Sequence, residues 1–429
     1  MSLYLNGSYR CFSALLLATL LSTFSAAQGT VAGNRDLMRH IADGTANVIA
    51  KNFYDPSLNG VDIQKVLSQT KQKIDESTKV GEMNAAIYWM VQKLNDSHTN
   101  FLPPMLTLDP RFGFKAKPYG ETVRVYEIKE NSSAAKAGLR MGDTITGLDG
   151  IAANRKNYWQ TQFFYRLIQP AGAMVLDVQR DGKLERLTLQ ADIRTRHAID
   201  YAYDFSRVFD WIREEETFNQ ENPFIYAKKD ELGYVKIRDF QSYAPENVLM
   251  KVKDSAGLIV DLRGNPGGWV GELQRLLGYF DNAPTEICQQ IFRNRSEKLV
   301  SKPQHPSFAG VPLAVLVDSE SASASEIFAR HLQLTGRAVI IGDKTMGAVS
   351  EARAFPQKIG ADPAVLYGVH TTVARIIFPD GQDLEKVGVT PDTMCIPTAA
   401  DLAAQNDPCF GLALTALKAK LGKGTGAQN

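Results

Sequence analysis

The sequence predicts a multidomain α/β protein: an N-terminal helical segment, a small mostly-β domain, and an α/β core with strands alternating with helices. Three observations predict it. The chain has 429 residues, enough for two or three domains. Its hydrophobic period changes at residues 111 and 233. Beyond residue 233, short apolar runs alternate with helical patterns, as a layered α/β architecture requires. The composition is 44% hydrophobic and 22% charged, which excludes a disordered or collagen-like chain. Lys and Arg number 48 against 47 Asp and Glu, so no basic footprint for nucleic acid exists.

Residues 1–27 read as a secretory signal: Arg10, an apolar run from Phe12 to Leu21, then small residues up to Ala26-Ala27. The run is shorter than the roughly 20 apolar residues that span a bilayer. Cleavage near Ala27 implies a periplasmic or secreted protein with no stable membrane anchor. Cys288, Cys395 and Cys409 then remain. In an oxidising compartment Cys395 and Cys409 can pair across a short loop, leaving Cys288 a buried thiol; three reduced thiols are the other possibility.

Residues 28–110 form the helical segment. Leu37, Ile41, Val48 and Ile49 fall at helical spacing, as do Met83, Ile87, Met90, Val91 and Leu94, up to Pro103-Pro104. Residues 111–192 carry strand-like runs at 123–128, 144–148, 174–180 and 184–190, with a short helix at 134–139. Residues 193–232 show no clear period and read as a connection or lid-like insert. The core, 233–400, has strands at 234–237, 258–262, 313–317 and 338–341 and helices at 270–280 and 324–334. In the last segment, 401–429, Asp407 and Pro408 start a helix and Gly422 ends it.

Three segments carry residues suited to chemistry. Asp261-Leu-Arg-Gly-Asn-Pro-Gly-Gly268 follows a buried strand, and its glycines let backbone N–H groups approach a ligand. As a bland alternative it is a tight turn. Ser321-Ala-Ser-Ala-Ser-Glu326 lies between a strand and a helix, where a serine gains the helix dipole and free N–H groups, or simply caps the helix. Asn95-Asp-Ser-His-Thr-Asn100 places His98, one of six histidines, in a polar turn. Alone it reads as a surface histidine. No zinc-ligand motif occurs, and neither a metal nor a cofactor is expected.

Together these segments resemble the C-terminal processing peptidases, also called tail-specific proteases. The resemblance rests on Gly257–Gly268, Ser321–Ile327, Gly336–Gly342 with Thr345-Met-Gly347, and Val373-Ala-Arg375, Pro379-Asp-Gly381 and Gly388–Asp392. Residues 111–192 are similar to the family's PDZ domain, with Phe112, Gly113 and Phe114 in its peptide-binding loop. The resemblance implies Ser323 as nucleophile, with oxyanion donors from Ala324 and from Gly267 or Gly268. Many members have a lysine base where this chain has Ala348. The sequence is closer to the tricorn-core branch, which uses histidine and glutamate. That likeness implies His98 as base, oriented by Glu385 directly or through the hydroxyl of Ser97, with Lys344 as fallback base. The expected function is serine endopeptidase action on unfolded or peptide substrates bound through their C-terminal tails. The alternative is a non-catalytic binding protein of the same fold, taking an apolar ligand or a peptide tail. A homo-oligomer is left open.

Overall fold

The computed structural model describes residues 31–104, 108–195, 208, 212, 213, 224–229, 231–241, 245–361 and 364–425. The leader lies outside them, as does most of the stretch from 196 to 223. No described helix is long and apolar enough to cross a membrane.

Three helices open the described chain: α1 (Val31–Asn52), α2 (Ile63–Glu76) and α3 (Val80–Gln92). Asp62 caps α2 by accepting the Lys65 N–H, and Ile63, Leu67 and Ile74 form its buried stripe. The apolar residues of α3 are buried at the spacing that predicted the helix: Met83, Ile87, Met90 and Val91, followed by Leu94. Helical structure does not continue to the paired prolines. The chain turns at Asn95, whose φ is 52°, and enters strand β1 (Asn100–Leu102).

The mostly-β unit is an antiparallel sheet of β3 (Phe114–Tyr119), β4 (Thr122–Ile128), β5 (Thr144–Leu148), β7 (Ala173–Arg180) and β8 (Lys183–Gln190) in that order. β6 (Ile151–Ala152) pairs with β5. Asp181 and Gly182 both have positive φ and make the two-residue hairpin between β7 and β8. Helices α4 (Ser133–Lys136) and α5 (Tyr158–Phe163) complete the unit, and α5 runs on as a π turn to Ile168.

The stretch 193–232 is not without structure at its ends. β2 (Leu108–Arg111) pairs with β9 (Asp192–Thr195), and β10 (Phe224–Lys229) pairs with β11 (Leu232–Ile237). These strands are too short or too polar to show an alternation in the sequence. Val208 and Ile212, from the middle of the stretch, are buried among the N-terminal helices.

The core sheet runs β10-β11-β12-β15-β16-β19, parallel from β11 onward, with β12 (Gly257–Asp261), β15 (Leu313–Val317), β16 (Ala338–Gly342) and β19 (Thr393–Met394). β12 and β15 are buried at every position, so they read as continuous apolar runs. Helices α6 (Pro245–Val252), α7 (Val270–Leu277) and α8 (Ala324–Leu334) follow in chain order. A second sheet joins β13 (Thr285–Phe292), β14 (Ser296–Ser301), β17 (Ser350–Ile359) and β18 (Val365–Ile377) to β1 of the helical segment. The β1–β18 pairing sets Asn100 opposite His370 and so brings the turn containing His98 to the core.

After the short helix α9 (Ala399–Ala403), α10 (Pro408–Thr425) packs Ala413 and Leu417 against the core sheet. It passes through Gly422 instead of stopping there, because one exposed glycine costs only about 1 kcal/mol within a long helix. Cys395 and Cys409 form a disulfide and Cys288 is a buried free thiol. The bridge closes a loop with sequence separation 14 and ties α10 to the sheet. Replacing both Cys395 and Cys409 by serine is expected to cost about 3 kcal/mol in urea unfolding, with the difference vanishing in reductant.

Candidate active site

β12 and β15 are parallel neighbours, with Asp261 opposite Leu316. The glycine turn after β12 and the serine loop after β15 therefore emerge side by side at one edge of the sheet, the usual place for a site in such a sheet. Asn265, fully buried, laces them together. Its carbonyl accepts the Ala322 N–H at 3.0 Å and the Ser325 hydroxyl at 3.0 Å, and its Nδ2 donates to the Ile237 carbonyl at 2.9 Å.

Ser323 stands at the N-terminus of α8 with φ 55° and ψ −119°, a conformation that costs a non-glycine residue about 1–3 kcal/mol. Packing holds it there. Gly267 lies against it so closely that a Cβ on Gly267 would be 2.7 Å from the Ser323 Cβ and 3.0 Å from the Ala324 nitrogen. A Cβ on Gly268 would be 2.5 Å from the Phe240 carbonyl oxygen. Both glycines have positive φ, 100° and 146°. The Gly267 N–H donates to Asn265 Oδ1 at 2.8 Å, so that group is already engaged. Gly268 and Ala324 line the cavity; Gly267 lies behind its wall.

A second brace was not read from the sequence. Glu326, fully buried one turn after the serine, accepts hydrogen bonds from the Ser323 N–H (3.0 Å), the Thr345 hydroxyl (2.5 Å) and the Gly347 and Ala348 N–H groups (2.8 Å each). The Ser323-x-x-Glu326 spacing is a capping-box pattern and was the available signal. Burial pushes the Glu326 carboxyl up to about 7, against the pull of these donors. A raised carboxyl favours the folded state most below its ordinary value near 4.5, and that contribution is lost as pH rises through about 7. Wild type is thus expected to lose roughly 3 kcal/mol relative to Glu326→Gln between pH 4.5 and 8, read by urea unfolding across that range.

His98 sits in a turn built by Asp96, which accepts the Thr99 N–H at 2.7 Å and the Thr372 hydroxyl of β18 at 2.6 Å. The Ser97 hydroxyl lies 2.8 Å from His98 Nδ1. Glu385 accepts the Ser97 main-chain N–H at 3.1 Å and the Val349 N–H at 2.9 Å. The glutamate thus reaches the histidine through the backbone of Ser97, not through its hydroxyl. His370 Nδ1 lies 3.0 Å from the His98 carbonyl oxygen, a contact its strand position concealed in the sequence.

One cavity of about 900 Å³ is lined by Ser97, His98, Ser323, Gly268, Ala324 and Lys344. Lys386 also lines it, and burial lowers its ammonium below the ordinary lysine range. Ala348, where a lysine was expected in many relatives, braces Ser323 instead, its carbonyl accepting the serine N–H at 2.8 Å. Phe112, Gly113 and Phe114 lie elsewhere. Both phenylalanines are packed in the interior of the mostly-β unit, and the Gly113 carbonyl accepts the Ser132 hydroxyl at 3.2 Å. Phe114 also lines the groove beside β3. The groove beside β3, between it and α5, is a cleft of about 60 Å³ closed on its far side by Ser319, Glu320 and Met346 of the core.

A serine on a strained helix entry, a glycine turn against it and a histidine lining the same cavity are thus carried on an α/β sheet beside a mostly-β domain. Residues 231–395 match the family model for peptidase family S41, and residues 110–191 match that for the PDZ domain. The chain thus carries a peptidase family S41 domain. It is 25% identical over 327 residues to the carboxy-terminal processing protease CtpB of Bacillus subtilis, covering 72% of this chain and 62% of that one. It is 27% identical over 350 residues to the carboxyl-terminal-processing protease of a Picosynechococcus species, covering 77% and 75%. In fold it is similar to mature CPAF, with TM-score 0.65 and 14% identity, covering 92% of this chain and 98% of that one. It is also similar to the photosystem II D1 C-terminal processing protease, with TM-score 0.50 and 20% identity, covering 85% and 97%.

Proposed function

We propose that this protein is a secreted or periplasmic serine endopeptidase that cuts unfolded or peptide substrates through an acyl-enzyme on Ser323. The observation that carries this is the shared cavity: Ser323 and His98 line the same space, and Ser97 holds Nδ1 of the imidazole. With its Nδ1–H donated to Ser97 Oγ, the ring keeps Nε2 as the proton acceptor. Ser323 Oγ attacks the peptide carbonyl while His98 Nε2 takes its proton. The N–H groups of Gly268 and Ala324 hold the oxyanion, and the imidazolium returns the proton to the leaving amine. Water then releases the acyl group by the same proton route. Glu385 positions the turn by accepting the Ser97 N–H.

Substrate tails are recognised by the PDZ domain in this proposal. Gln162, on α5 in the groove beside β3, has a buried Nε2 with no acceptor, which an added peptide strand would supply. A tail entering there has to displace Glu320 and Met346 from the far side of the groove. Secretion accords with the leader composition and with the disulfide.

The test is intact-mass analysis of an unfolded protein incubated with wild type beside Ser323→Ala. Fragments with wild type alone support the proposal and report the cleavage preference. An intact substrate together with tight, stoichiometric ligand binding would put the non-catalytic alternative in its place.

A further inference from the structure

We propose that Lys117 of the PDZ domain is a positioning residue for the active site: its ammonium fixes the Asp318 carboxylate that seats both the glycine turn and the serine loop. The inference rests on the serine-peptidase function proposed above.

Lys117 lies on β3, the edge strand of the PDZ sheet. Its Nζ is 2.6 Å from Asp318 Oδ2 and 3.8 Å from Glu320 Oε2. It lies over the Tyr126 and Tyr119 rings, 4.8 Å and 5.5 Å from their centroids. Asp318 is the first residue after β15, five positions before Ser323. While Oδ2 faces the lysine, Oδ1 faces the site: it accepts the Gly264 N–H at 3.0 Å, the Glu320 N–H at 3.0 Å and the Ser321 hydroxyl at 3.3 Å. Gly264 opens the glycine turn that ends in Gly268. Ser321 is two residues before Ser323, and its carbonyl accepts the Met346 N–H at 3.0 Å. One carboxylate thus holds the two loops in register, and a residue of another domain holds the carboxylate.

The chemistry explains why a cation is needed. Asp318 is 5% exposed, and a buried carboxylate with no counter-charge is strongly destabilised. Burial pushes its carboxyl up, yet Lys117 and the N–H donors outweigh it and hold the carboxyl below the ordinary aspartate range. For Lys117, burial pulls the ammonium down and Asp318, Tyr119 and Glu320 outweigh it in turn. Without the lysine, Asp318 either takes a proton or swings toward water. Both outcomes release Gly264 and loosen the oxyanion donors by fractions of an ångström, enough to lower transition-state stabilisation.

The experiment compares wild type with Lys117→Met, Lys117→Arg and the double variant Lys117→Met with Asp318→Asn. The substrate is a short peptide amidated at its C-terminus, so that tail capture does not enter. Ser323 labelling by a fluorophosphonate gives a second readout. Lys117→Met is expected to lower kcat and the labelling rate about thirtyfold with KM changed less than about threefold. Lys117→Arg is expected within about fivefold of wild type, because it keeps the charge. The double variant is expected to recover about tenfold over Lys117→Met, since a side-chain amide in place of the carboxylate retains Oδ1 as acceptor and needs no cation. A lysine that merely clips two domains together would lower the melting temperature and leave kcat and labelling of the folded enzyme at wild-type values; that result overturns the inference. So does a double variant no faster than Lys117→Met. Should Lys117→Met fail to fold, Asp318→Asn alone carries the test: it is expected to be slow and to be rescued by adding Lys117→Met, and an undiminished rate overturns the inference. Wild type that neither cuts nor is labelled would instead defeat the serine-peptidase proposal itself.

Discussion

Ser323→Ala is expected to reduce peptide hydrolysis by about 10⁴-fold or more, and His98→Ala to come within about tenfold of it. The two losses are not additive, because nucleophile and base act as one unit. Fluorophosphonate labelling separates them. Ser323→Ala takes no label at any pH, while His98→Ala labels slowly and faster as hydroxide concentration rises. Lys344→Ala and Lys386→Gln serve as controls, since both lysines line the same cavity. Each is expected within about fivefold of wild type. A lysine variant as inactive as Ser323→Ala would move the base from His98 to that lysine. Ser97→Ala is expected to fall between, because it frees Nδ1 and lets the ring choose the wrong tautomer.

Gly267→Ala is expected to lower kcat about a hundredfold or more although it changes no group that touches the substrate. The added methyl would be 2.7 Å from the Ser323 Cβ, 2.9 Å from the Ala322 carbonyl oxygen and 3.0 Å from the Ala324 nitrogen. None of these is the far end of a flexible side chain. The glycine also has φ 100°, which alanine adopts only under strain. The turn and the helix entry must therefore separate, carrying the Ala324 N–H away from the Gly268 N–H. Measured kcat with a small peptide, beside far-ultraviolet circular dichroism showing an intact fold, decides it. Near-wild-type turnover would mean that the turn has room to move and that the donors lie elsewhere.

The contrast between what the sequence revealed and what it concealed follows from the range of the interactions. α8 at 324–334 and β15 at 313–317 have the bounds their patterns predict, because each is fixed by a local apolar period and by full burial. The glycine turn and the serine segment were legible for the same reason: each is a short motif with a local job. The second sheet was not. Its strands alternate buried and half-buried positions with charged ones, as in Ser350–Ile359, and its order is set by pairings far apart in the chain. His370 lies in one of these strands, and its neighbour on β1 is fixed by such a long-range pairing. Glu326 was visible only as part of a serine-rich motif. That it gathers four donors from two loops depends on Thr345, Gly347 and Ala348 folding back over it.

The bond from the Ser97 N–H to Glu385 spans 288 residues of chain. During synthesis the histidine turn leaves the ribosome first, the nucleophile more than two hundred residues later, and the glutamate later still. At about 5–20 residues per second the three are apart for tens of seconds. Throughout that time β1 has no β18 to pair with, and the His98 turn has no anchor. In the proposed mechanism a growing chain therefore carries the histidine turn without its partners. The site that the proposed mechanism needs comes together only once the segment carrying Glu385 has been made.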